Sequence, residues 1–145
     1  LLGAKKTKYQ EESLMYKIEK KNYGFFMTLS GFIKADEMKQ WVEESKKLLI
    51  SQPKGFGVFA DLRELKPMPS DAQQYMQEGQ KLYKQKGLER SVVVLNSAAT
   101  TMQFQRIAKE TGVYQWERYI DASKIQNWLQ VGIDWIKDGK DPDKD

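Results

Sequence analysis

The chain of 145 residues carries 24 Lys and Arg against 20 Asp and Glu, a formal net charge of +4, and has neither Cys nor His. Without thiol or imidazole there is no disulfide, no Cys or His nucleophile or base, and no zinc, haem or iron–sulfur centre held by those side chains; carboxylate, Lys, Tyr or Ser chemistry and oxygen-ligated cations remain. At 40% hydrophobic and 12% aromatic content, one packed core is expected.

In chain order, residues 1–12 read as an N-terminal extension, 13–136 as a single α/β domain, and 137–145, where Lys and Asp alternate around Gly139 and Pro142, as a disordered charged tail. Opening at Leu1 rather than Met leaves room for a preceding segment. From Ser13 to Lys20 Leu14, Tyr16 and Ile18 share one parity, the pattern of a strand with one wet face. A turn through Asn22 to Gly24 and renewed alternation at Phe25, Met27 and Leu29 make this an antiparallel hairpin. Met38, Trp41, Val42, Ser45, Leu48 and Leu49 then recur at three and four, which predicts a helix from Asp36 to Ile50.

Phe56–Ala60 and Ser91–Leu95 are apolar runs bounded by turn residues, as for central strands covered on both faces. Between them Ala72, Tyr75, Met76, Gly79, Leu82 and Tyr83 stripe a helix, with Ser70 as its N-cap in a capping box with Gln73. Ala98–Thr111 is a third helix, stopped by Gly112, and Trp116–Ile120 a short edge strand. Asp121 is placed as the cap of a last helix carrying Ile125, Trp128, Leu129, Gly132, Ile133 and Ile136 inward. Trp135 lies off that stripe and is the candidate centre of a homodimer or partner interface. The order β-β-α-β-α-β-α-β-α implies a mixed sheet of about five strands with four helices.

Little in the chain signals chemistry. Gly55-x-Gly57-x-x-Ala60 matches a dinucleotide fingerprint only on paper, because it enters a strand instead of opening a helix, and no P-loop pattern exists. Lys and Arg are interspersed with acids, so no specific nucleic-acid binding is expected. The longest aliphatic run, Val92 to Leu95, is far short of a membrane span. No metal, no cofactor and no catalysis are expected, and the bacterial cytoplasm is the expected compartment. In an open parallel sheet ligands gather at the carboxyl ends of the strands, which places candidate contacts at Asp61, Arg63, Ser70 and Asp71. A candidate anion site sits at the helix start of Ser97, Thr100 and Thr101. Trp41, Tyr75, Tyr83, Trp116 and Trp128 are candidates for lining an apolar pocket.

Asp61-Leu62, Leu65, Met68 and Ser70 resemble the STAS (anti-sigma-factor antagonist) pattern of a strand-end Asp, two hydrophobics and a helix-opening serine, with Pro69-Ser70-Asp71-Ala72 in place of the usual D-S-S/T-G. Arg106, Ala108, Gly112, Tyr119, Asp121 and Trp128-Leu129 resemble a pattern of bacterial STAS/CRAL-TRIO-like proteins. The resemblance, over roughly 14–136, implies a SpoIIAA-like (STAS-like) fold and puts Ser70 at the phosphoacceptor position. It implies a non-catalytic regulatory or protein-interaction module acting through the loop 61–71 and the helix it opens. The alternative it implies is a carrier or sensor of a small apolar, lipid-like ligand in a CRAL-TRIO-like pocket.

Overall fold

The structure, a computed structural model, describes residues 15–144. The N-terminal extension 1–12 and the expected strand start at Ser13 and Leu14 lie outside the described residues. The elements are β1 (Tyr16–Lys21), β2 (Gly24–Leu29), α1 (Ala35–Leu49), β3 (Phe56–Asp61), α2 (Ser70–Gln85), β4 (Leu88–Leu95), α3 (Ala98–Thr111), a 3-10 turn (Tyr114–Trp116), β5 (Glu117–Asp121) and α4 (Trp128–Asp138). The protein is thus α/β, with one five-stranded mixed sheet and four helices. Strand order follows the sequence, β1-β2-β3-β4-β5; β1 is antiparallel to β2 and the remaining pairs are parallel.

The crossovers put α1, α2 and α3 on one face of the sheet, and the chain swings round after β5 to lay α4 alone on the other. Alternation along the strands sorts the core accordingly: Val58, Val93 and Leu95 meet α1–α3, while Phe59, Val92, Val94 and Ile120 meet α4. Gly24 of β2 and Gly57 of β3 are register partners. A Cβ on Gly24 (φ +145°) would come within 2.0 Å of the Gly57 carbonyl, and one on Gly57 within 2.3 Å of Ile136. Gly57 of the false dinucleotide fingerprint therefore serves strand and helix packing.

Three expectations are corrected at the C-terminal end. Asp121 does not cap α4; it ends β5, and its carboxylate accepts from the Ser123 amide (2.9 Å) and hydroxyl (2.6 Å). The helix begins six residues later, after Asn127, because the chain must first cross from the sheet edge to the opposite face. The face it lays on the sheet carries Trp135, which is 3% exposed with its indole N–H donating to the Ser91 carbonyl at 2.9 Å. An intermolecular role for Trp135 is thereby excluded, and Leu129 takes the outward position instead. The charged segment 137–144 is held in place. Lys137 and Asp138 close α4, and Asp141 forms a bidentate pair with Arg118 (2.8 and 2.9 Å), whose guanidinium lies 4.3 Å from the centre of the Trp135 ring.

Candidate functional site

Because β2 to β5 run parallel, the segments leaving all four strands gather at one end of the sheet, and the 61–71 loop lies in the middle of it. Asp61, the last residue of β3, accepts from the Arg63 amide (3.2 Å), Nε (2.9 Å) and Nη2 (3.0 Å). Those carboxylate bonds raise the guanidinium pKa above its ordinary value. Arg63 lies flat 4.1 Å from the Trp128 ring centre, a cation–π contact that ties the loop to α4.

The backbone of the loop is pinned along its length. Leu62 N donates to Val94 O (2.8 Å), Gly31 N to Glu64 O (2.8 Å), and Lys66 N to Gly31 O (3.0 Å). Leu65 and Met68 are buried plugs, and Met68 is held through its amide and carbonyl by Gln103 and Gln73. The sequence pattern of two apolar residues between Asp61 and Ser70 therefore marks the anchors of a rigid loop.

Ser70 is not the N-cap. Pro69 occupies that position in extended conformation (φ −67°, ψ 160°) and its carbonyl accepts from Gln73 N (3.0 Å), so Ser70 is the first residue of α2. The Ala72 amide goes to the Asp71 carboxylate (2.8 Å), and the Gln73 side chain turns back to Met68 O, which dissolves the expected capping box. The Ser70 side chain is left exposed and makes no capping bond.

At the neighbouring helix start the hydroxyls are already engaged. Ser97 Oγ accepts from Thr100 N (3.2 Å), Thr100 donates to Leu65 O (3.4 Å), and Thr101 to Ser97 O (2.8 Å). Asp121 lines the same open groove of about 390 Å³ and opposes an anion there. Around the loop, however, large apolar side chains face solvent. Phe32 (57% exposed) follows β2, Met102 (69%) lies near the start of α3, and Leu129 (49%) in the first turn of α4 beside Trp128.

The aromatic candidates part company. Trp41 of α1 and Tyr83 of α2 stack 5.8 Å apart and line a cavity of about 60 Å³, whereas Tyr75 sits half-buried and Trp116, 53% exposed, precedes β5; neither lines that cavity. At about 10–15 Å³ per water-sized position, such a volume holds roughly four to six small groups and no acyl chain. Sequence reading missed Glu117, which lines the same cavity, is 7% exposed and has no hydrogen-bonding partner for its Oε2. Burial pushes its carboxyl up to about 8, and the neighbouring Tyr119 hydroxyl offsets this only partly. The available signal was parity: Glu117 shares a face with Tyr119, which packs against the helix-side core, and pairs in register with buried Ser91.

Compared with known proteins, the chain matches no family model, and no curated protein matches it in sequence. Among the described residues no cluster of three or more acidic side chains is placed to hold a metal ion, and no helix is long and apolar enough to cross a membrane. The strand-end face offers a fixed guanidinium, an exposed hydroxyl on a helix's first turn and a rim of apolar side chains.

Proposed function

We propose that this protein is a non-catalytic regulatory module, of the kind its STAS resemblance implies, which binds another protein through the loop 61–71 and the start of α2. The observation that carries this reading is that a loop anchored at Leu62, Leu65 and Met68 lies at the end of the sheet where Phe32 follows β2, Met102 lies near the start of α3 and Leu129 near the start of α4, all three exposed. Rigid backbone lowers the entropy lost on docking, and large exposed apolar side chains are what interface centres use. Ser70 supplies the regulatory element. A phosphoryl group on its exposed hydroxyl would sit at the positive dipole end of α2, and would change the charge of the docking face without touching the core.

The test is a photo-cross-linking amino acid placed at Lys66 or at Met102 in the cells that make the protein, with Lys86 at the opposite end of the sheet as control. A discrete adduct with one other protein from positions 66 and 102, absent from 86, is the expected result. No adduct, or equal labelling from all three, refutes the docking face; an adduct with a second copy of this chain replaces the partner by a homodimer. The ligand-carrier reading draws support from a different place, the cavity between Trp41 and Glu117.

A further inference from the structure

The cavity beneath α2 has a polarity that its walls do not explain. Met27, Leu29, Val58, Val93 and Phe104 make its lining almost wholly apolar, yet Trp41 Nε1 and Glu117 Oε2, on its lining residues, have no hydrogen-bond partner, and neither has the buried hydroxyl of Tyr119, two residues along β5 from Glu117. Buried polar groups without partners are rare in proteins and costly, by more than a solvent-exposed group could be. Trp41 is fixed by its neighbours. Its six-membered ring lies so close to Gly79 that a Cβ there would come within 2.0 Å, which turns the indole nitrogen away from α2. Tyr83, the other titratable residue of the lining, donates its hydroxyl to Ser45 Oγ at 2.7 Å.

We propose that this cavity binds an uncharged molecule of about five non-hydrogen atoms bearing an accepting oxygen, a short ketone or alcohol, whose oxygen is received by the Glu117 carboxyl beside an apolar body resting against Trp41. The inference rests on the ligand-carrier reading of the cavity and is independent of the docking face. Size excludes larger ligands, and charge excludes ionic ones. No Lys, Arg or Asp lines the cavity, so nothing there would balance an anion, and Glu117 is held neutral at pH 7.

The groups that bear on Glu117 can be named element by element. Tyr119 is its neighbour on β5, and Tyr114 in the preceding turn acts on Tyr119. Lys84 of α2 is exposed and lies over Gly112, while α1, α3 and β4 present no charged side chain to the cavity. A ketone oxygen only accepts, so when it is received by Glu117 instead of the Trp41 N–H it needs the protonated carboxyl. Its binding should therefore weaken as Glu117 ionises.

The test uses the full chain and 2-butanone as the probe, followed by the indole N–H resonance of Trp41 with that of Trp135 as internal control. A saturable shift at Trp41 alone is expected, with affinity falling about tenfold from pH 7 to pH 9 as the protonated fraction falls around a pKa of about 8. Glu117→Gln, whose amide donates at every pH, should bind with no pH dependence. Absence of a saturable shift in both proteins at pH 7 overturns the ligand-carrier reading altogether. Equal affinity of the parent at pH 7 and pH 9 overturns the assignment of Glu117 as donor while leaving a ligand in the cavity.

Discussion

Replacing Glu117 by Gln should stabilise the protein, by an amount that grows with pH. In the unfolded chain the carboxyl titrates near 4.5; in the folded protein burial holds it up at about 8. Between those values the folded state binds the extra proton, so stability falls as pH rises from about 4.5 and levels off above about 8. At about 1.36 kcal/mol per pH unit, the cost of Glu117 is about 1 kcal/mol at pH 5, about 3 at pH 7 and close to about 5 at pH 9. Gln keeps the shape and cannot ionise, so Glu117→Gln recovers that difference at each pH. For a domain of this length about 3 kcal/mol corresponds to a rise in melting temperature of roughly 10 °C. Urea unfolding of parent and variant, followed by tryptophan fluorescence at pH 5, 7 and 9, measures the gap directly. Parallel curves, with the same gap at every pH, would refute the buried, unpaired carboxyl.

The two serines at helix starts should behave differently. Ser97→Ala loses a cap bond to Thr100 N and should cost about 1 kcal/mol in denaturant unfolding, whereas Ser70→Ala, which loses none, should stay within about 0.5 kcal/mol of the parent. Trp135→Phe removes the bond to the Ser91 carbonyl and should lower stability by about 1 kcal/mol without changing the sedimentation coefficient; a shift towards a smaller species would return Trp135 to an interface. Arg118 holds the Asp141 carboxyl down at about 2, so this pair's contribution is complete above the ordinary carboxylate range and is lost as pH falls from about 4 to about 2. Asp141→Asn should abolish that acid limb and expose the 139–144 segment to limited proteolysis, while unchanged cleavage would show that the pair does not hold it.

The fold was legible because every parallel strand is followed by a helix whose stripe is written at three and four, and because Val92 to Leu95 has no polar position to leave at an edge. The loop anchors were legible for the same reason: Leu65 and Met68 are apolar residues in an otherwise polar segment. What sequence could not show was phase. Whether α4 starts at Asp121 or at Asn127 depends on how far the chain must travel round the sheet edge, and the face that the helix then lays on the sheet buries Trp135 and leaves Leu129 outside. Nor could local pattern distinguish Ser70 from Pro69 as the cap, because the choice lies in the direction from which the anchored loop enters the helix. Glu117 was hidden by its type: a carboxylate on an edge strand reads as solvated, and only the closure of α2 and α3 over β5 removes the water.

Regulation through the docking face is tested most directly by comparing cross-link yield from Lys66 in Ser70→Ala and Ser70→Asp proteins, with melting temperature measured on the same samples. A negative charge at the exposed start of α2 should abolish the partner adduct while leaving the melting temperature within about 2 °C of the parent, and Ser70→Ala should cross-link like the parent. Equal adduct yields from the two variants would contradict the account.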